Sequence, residues 1–159
     1  MRRRRRRTPL EAVGLGLVAG AAGTAALTAA QTVVYRLQGS EGSTAPGEVA
    51  KRVSEGVLQQ PVPDDAMPAL NNAAHFAYGT VWGAVYGAVQ ETAHTPALAH
   101  GPIFGLGAWA ASLLHLPAMK LAPPVWKYSA AGVAQDAGMH LLYGMSVAGA
   151  YAGLDHLRR

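Results

Sequence analysis

The chain has 159 residues, enough for one domain; half of them are apolar and only 14% are charged. It has no cysteine, which excludes disulfides, thiolate metal sites and thiol catalysis. The net charge of +4 does not indicate a nucleic-acid partner, because six of the thirteen basic residues form one run before an apolar segment. That run is Arg2, Arg3, Arg4, Arg5, Arg6 and Arg7. Its position is typical of a cytoplasmic anchor that meets anionic lipid headgroups.

Four long segments with almost no charge predict an all-α membrane protein with four transmembrane helices. About 20 helical residues cross the hydrocarbon of a bilayer, and a soluble Ala-rich bundle would need a charged stripe on each helix. No segment has such a stripe. The predicted spans are residues 11–35, 66–90, 97–119 and 129–154, in one transmembrane domain of residues 11–159 that follows a basic cytoplasmic N-terminus of residues 1–10.

The first span has a second interpretation, as a cleaved signal peptide with small residues around Ala29 and Ala30. Its length favours a span that is retained, because a signal-peptide core is usually shorter. Basic residues then set the orientation. With both termini cytoplasmic, eight Lys and Arg lie inside and five lie outside. This bias, strongest beside the first span, predicts cytoplasmic termini.

The outer loop of residues 36–65 contains a predicted short amphipathic helix over residues 46–60. Val49, Val53 and Val57 are spaced by four residues, and Pro61 stops the helix. The helix lies on the membrane surface or is an ordinary loop helix; the sequence leaves both open. Further along, Pro123 and Pro124 break the chain before the fourth span.

The second and fourth spans share a pattern that indicates an internal duplication. The matched pairs are Asn71 and Asp136, His75 and His140, Tyr78 and Tyr143, Gly79 and Gly144, and Tyr86 and Tyr151, each 65 residues apart (75 to 140). The first and third spans match more loosely, at an offset of 85 (Gly16 to Gly101). The spans therefore form two duplicated hairpins that run in the same direction.

Spacing places the shared polar residues on one face of each span, because positions i, i+4 and i+7 of a helix lie together. We predict an intramembrane cluster of Asn71, His75, Tyr78, Asp136, His140 and Tyr143. His75 and His140 should face each other across the interior, with Tyr78 and Tyr143 one turn further in. Two interpretations stay open: hydrogen bonds between helices, or a site for protons or a ligand.

Glycines spaced by four residues predict close helix packing, since small residues let two backbones approach. The predicted packing positions are Gly16, Gly20, Gly79, Gly83 and Gly87. The same faces could join two copies of the chain.

These residues resemble the YagU-like family of small bacterial inner-membrane proteins. The resemblance rests on the motif from His75 to Gly87, on His140-Leu141-Leu142-Tyr143-Gly144 and on the proline-rich link before the fourth span. It implies four helices in a bacterial inner membrane and no established activity. Relatives carry an acidic pair a turn before a proline at the end of the third span, where this chain has Ser112 and Leu113.

Three functions fit these observations. The first is a non-enzymatic structural or envelope-associated membrane protein, and the second is a transporter or proton conduit using Asp136, His140 and His75. The third is a haem or metal protein with His75 and His140 as ligands; otherwise no cofactor or metal is expected. An enzyme is disfavoured, because the chain has no catalytic triad, phosphate loop or metal-binding His-Glu motif.

Overall fold

The computed structural model describes residues 7–93 and 96–157, with the side chain of residue 98 left out. The basic run before Arg7 and the Arg158–Arg159 pair lie outside the described residues. The five helices are α1 (Pro9–Gln38), α2 (Ala45–Gly56), α3 (Met67–Ala93), α4 (Ala97–Ala118) and α5 (Ala130–Leu157). The predicted all-helical class is confirmed, and the four long helices begin and end within a few residues of the predicted spans.

Local sequence signals fix the ends of α1. Thr8 caps its N-terminus, since the Thr8 hydroxyl accepts from the Glu11 backbone N–H and the Glu11 carboxylate accepts from the Thr8 N–H. Pro9 occupies the first turn, where no backbone N–H is needed. Gly39 ends the helix with φ of 62°, in the left-handed region that favours glycine.

The predicted outer-loop helix is present as α2, but it ends at Gly56 rather than near Gln60. Ser54 explains the early end. Its backbone carbonyl accepts from the Gln60 N–H at 2.9 Å, and its hydroxyl donates to the Gln60 carbonyl at 2.8 Å. Gln59 takes a positive φ of 55° between these contacts. The chain therefore folds back before Pro61 can act as the stop.

The four long helices form a bundle in which α1 and α5 lie side by side. The α3 helix packs against α1, the α4 helix packs against α5, and α2 lies against α3. The backbones of α3 and α4 stay apart, and aromatic side chains fill the space between them. The bundle thus consists of two hairpins, α1 with α3 and α4 with α5, joined along α1 and α5.

Each hairpin crosses at a pair of glycines. Gly20 lies against Gly79 and Gly83, and Gly105 lies against Gly144. A Cβ added at any of these positions would collide with backbone or with a buried side chain of the facing helix. Small residues at these points therefore allow the close approach of the helices.

Aromatic rings fill the interior between the hairpins. Tyr86 packs edge-on against Phe104 at 5.1 Å and against Tyr151 at 5.5 Å between ring centroids. Tyr143 follows Phe104 at 6.0 Å, and all four residues are buried. This packed core occupies the centre of the bundle and the end where α3 finishes and α4 begins, where Tyr86 also stacks on His100.

Among the described residues, α1 is the one helix long and apolar enough to cross a membrane, with a mean hydropathy of 1.6 over its best window. The four predicted spans are therefore not confirmed by this criterion. The core helix of a soluble protein or a signal sequence has the same properties as α1, so the criterion alone does not place the chain in a membrane.

Candidate functional site

A pocket of about 160 Å³ opens at the end of the bundle where α1 finishes and α3 begins. We call it the α1–α3 pocket. Its lining carries no acidic or basic residue apart from one histidine. The lining residues are Thr28, Gln31, Thr32, Tyr35, Gly42, Ser43, Pro46, Asn71, Asn72 and His75.

Asn71 fixes the residues that cover this pocket, Ser43 to Gly47, which we call the roof of the pocket. Its side-chain oxygen accepts from the Gly47 N–H at 2.8 Å, and its amide nitrogen donates to the Ser43 carbonyl at 3.0 Å. Gly47 lies so close to Asn71 that a Cβ there would collide with it. One amide of α3 thus fixes both the loop after α1 and the start of α2 over the pocket.

His75 lines the pocket one turn further along α3 from Asn71. Its Nε2 atom is buried and has no hydrogen-bond partner within the part of the chain that the structure describes. The ring packs edge-on against Phe76. A buried ring nitrogen without a partner is costly. Because Nε2 has almost no accessible surface, it is the other atoms of the His75 side chain that line the pocket.

The equivalent residues of α5 form a separate cluster. The Asp136 carboxylate accepts from the Trp109 indole N–H at 2.8 Å, and it lies 3.4 Å from His140 Nδ1. The same nitrogen is 2.9 Å from the Asp136 backbone carbonyl. The Asp136 side chain is half exposed, with a relative exposure of 51%. This carboxylate is therefore bound by α4 and α5 and does not line the pocket.

The two tyrosines of the predicted cluster also differ. Tyr143 is buried, and its hydroxyl donates to the Gly79 carbonyl at 2.6 Å, which ties α5 to α3. Tyr78 is 44% exposed and packs beside His115 of α4. The six residues of the predicted cluster therefore lie in three separate environments. Asn71 and His75 lie at the pocket, Asp136 and His140 lie beside it, and the two tyrosines lie away from both pairs. His75 and His140 interact electrostatically but make no direct contact among the described residues.

The part of the site contributed by α1 was absent from the sequence interpretation. Thr28, Gln31, Thr32 and Tyr35 follow the i, i+3, i+4, i+7 spacing of one helix face. That spacing is a detectable signal of a polar face near the end of the first span. Because the segment carries no charge, hydropathy alone marks it as uniformly apolar.

Arg7, the last residue of the basic run, binds protein groups at the opposite end of the bundle. Its guanidinium pairs with Asp155 and lies 4.0 Å from Glu91, and it donates to the Tyr151 hydroxyl at 3.3 Å. Arg7 therefore links the start of α1 to the ends of α3 and α5. Contact with lipid headgroups stays a prediction for the whole run from Arg2 to Arg7.

No group of three or more His, Asp or Glu within the described ranges could hold a metal ion. His75 and His140 have different surroundings, since one lines the pocket and the other is bound to Asp136. A haem between the two rings stays an alternative prediction, which a visible absorption spectrum of the pure protein would test.

Comparison of the chain with protein-family models, with curated proteins and with solved structures found no match. The function is therefore argued from the geometry of this chain.

Proposed function

We propose that this chain is a non-enzymatic integral membrane protein whose four long helices all span the bilayer. The supporting observation is the distribution of charge and exposed apolar surface. Within the described residues, every charged side chain of α1, α3, α4 and α5 lies in a first or last helical turn, except Asp136. The middle of the bundle presents large exposed apolar side chains, among them Val18, Val81, Val85, Ile103, Leu106 and Met145.

Such a surface is unfavourable in water and favourable in lipid. Each Å² of apolar area removed from water contributes about 25 cal/mol, and contiguous apolar patches on soluble monomers rarely exceed a few hundred Å². The exposed apolar residues lie on all four long helices, whereas the polar hydroxyl of Tyr143 and the ring of His100 are turned inward. An apolar exterior with polar groups inside is the pattern that a bilayer favours.

The proposal includes the orientation of the chain in the membrane, the kind of membrane and the duplication of the helical hairpin. The basic bias supports cytoplasmic termini with the loop that contains α2 outside, and the resemblance to the YagU-like family supports a bacterial inner membrane. The glycine contacts support the duplication. Gly20 meets Gly79, and Gly105 meets Gly144, so the same offsets of 85 (20 to 105) and 65 (79 to 144) relate the two crossings.

Membrane fractionation and reporter fusions test this proposal. The chain should stay in the membrane pellet after an alkaline carbonate wash. A fusion at Gly42 should report the outer side, and a fusion after Leu157 should report the cytoplasm. Release by carbonate would contradict embedding, and a cytoplasmic signal at Gly42 would contradict the orientation.

A proton or ion conduit is the second candidate, because an Asp136–His140 pair lies beside the pocket that contains His75. The aromatic core argues against it: Tyr86, Phe104 and Tyr143 fill the space between the hairpins. We expect liposomes containing the chain to show the same proton flux as empty liposomes. A flux that Asp136→Asn abolishes would instead establish the conduit.

A further inference from the structure

We propose that the α1–α3 pocket binds a neutral ligand with several hydroxyl groups and about the size of one pyranose ring. This inference goes beyond membrane embedding and does not depend on it. It rests on the volume of the pocket, on the mixture of uncharged hydrogen-bonding groups in its wall and on the contacts of Asn71 that keep it formed.

The wall favours a neutral ligand because nothing in it would compensate a buried charge. Its polar groups are hydroxyls, amides and one imidazole. The Asp136 carboxylate does not line the pocket and is bound by Trp109 and His140. A charged ligand would leave its hydration shell without gaining an ion pair, which costs several kcal/mol in a partly buried site.

The direction of the existing hydrogen bonds favours hydroxyl groups. The Thr28 hydroxyl donates to the Thr24 carbonyl and the Thr32 hydroxyl donates to the Thr28 carbonyl, each at 2.8 Å. With their protons committed to these carbonyls, both hydroxyl oxygens can accept a hydrogen bond but not donate another. Gln31 and Asn72, which make no side-chain hydrogen bond within the described ranges, offer both donors and acceptors. A ligand hydroxyl can donate and accept at once, so it satisfies every one of these groups.

The volume of the pocket matches a ligand of one ring, and its open side would leave the rest of a larger molecule outside. A cavity of roughly 150 Å³ holds one six-membered ring in a protein interior, and this pocket measures about 160 Å³. Asn71 keeps the pocket formed without a ligand, since it holds the Ser43 carbonyl and the Gly47 N–H over it. A preformed site of this kind loses little conformational entropy on binding.

The hydroxyl-rich ring could be a free sugar or the headgroup of a glycolipid, and the experiment separates these sources. The probes are D-glucose, D-glucuronate and D-glucosamine, which share one ring and differ in charge. The full chain is held in a detergent without a sugar headgroup, and binding is followed by saturation-transfer NMR and by the ring signals of His75. D-glucose should bind and shift those signals, while the two charged sugars should bind at least about tenfold more weakly.

Two variants and a matched control assign the binding to this pocket. His75→Phe keeps a ring but removes both ring nitrogens, and we expect it to weaken D-glucose binding about tenfold. Thr32→Val removes one hydroxyl with little change of shape and should weaken binding about threefold to tenfold. Thr92→Val is the control, because Thr92 also donates to the carbonyl four residues before it but lies outside the pocket.

The second arm uses nanodiscs of phosphatidylcholine with or without a glucosyl diacylglycerol. A shift of the His75 signals only with the glycolipid would identify a headgroup site and would support the proposal. Equal binding of charged and neutral sugars, or equal effects of Thr32→Val and Thr92→Val, would overturn it. Absence of any response in both arms would also overturn it and would mean that the pocket holds water alone.

Discussion

The polar faces of α3 and α5 carry the same motif but have different environments. On α3, Asn71 binds the Ser43 carbonyl and the Gly47 N–H above the pocket. His75 lines the pocket, and its Nε2 atom is buried without a partner among the described residues. On α5, Asp136 and His140 bind each other, and Asp136 also binds the Trp109 indole. Equal spacing along two helices therefore did not produce two equal sites.

The difference has a structural cause in the outer loops. The segment between α1 and α3, residues 39–66, has 28 residues and contains α2, whereas the segment between α4 and α5, residues 119–129, has 11. The α2 helix lies against α3 and covers the beginning of that helix, whereas α5 begins directly after a short link and faces α4. The segment that contains α2 thus covers the start of α3 and contributes Gly42, Ser43 and Pro46 to the wall of the pocket.

The largest expected effect comes from the glycine crossing of α1 and α3. Gly83→Leu should lower the free energy of unfolding by about 3 kcal/mol or more, because a Cβ there would collide with the Gly16 and Gly20 backbone. Thermal unfolding in detergent measures this loss. The controls are Gly149→Leu, where a Cβ has no neighbour within 4 Å, and Leu106→Ala on the exposed face of α4. Equal stability of Gly83→Leu and Gly149→Leu would show that the crossing is not close.

The two crossings should also differ from each other. Gly144 faces the backbone of Gly101 and Gly105, which cannot move, while Gly79 faces the side chain of Thr24. We expect Gly144→Ala to cost about 2 kcal/mol and Gly79→Ala about 1 kcal/mol. Gly149→Ala should be neutral or stabilising by up to about 1 kcal/mol, since it only gains helix propensity. The reverse order of the first two variants would refute the comparison.

The tyrosines provide a smaller and more specific test of the asymmetry. Tyr143→Phe removes a buried hydroxyl that donates to the Gly79 carbonyl, so it should cost about 1 kcal/mol. Tyr78→Phe should cost clearly less, because Tyr78 is half exposed beside His115. Unfolding of both variants in the same detergent gives the comparison, and equal losses would mean that the two tyrosines have equivalent roles.

The smallest expected effects concern the one unlike pair of the motif. Asp136→Asn keeps an oxygen for the Trp109 indole and loses only a half-exposed ion pair, so it should cost less than about 1 kcal/mol. Asn71→Asp removes the donor to the Ser43 carbonyl and should cost about 1 kcal/mol. Hydrogen exchange at the Gly47 amide should rise in Asn71→Asp and stay unchanged in Asp136→Asn. Unchanged exchange in both would show that Asn71 does not hold the roof.

The sequence by itself determined the helices and the positions of close packing. The uninterrupted apolar stretch placed α1 within a few residues of its ends without tertiary information. The capping box at Thr8 and the glycine at position 39, which fix those ends in the structure, are also local features of the sequence. Glycines spaced by four residues likewise marked the face at which α1 and α3 meet. These features depend on neighbours a few residues away in the chain.

The tertiary structure decided which polar residues share a site. The pocket joins α1, the loop before α2 and the start of α3, and its wall forms only when a crossing angle and a loop path bring these segments together. The same holds for Arg7, whose partners Glu91 and Asp155 lie on two other helices. Sequence spacing fixes the face of a helix on which a side chain lies. What that face meets depends on the packing of the other helices, and so His75 and His140 received different neighbours.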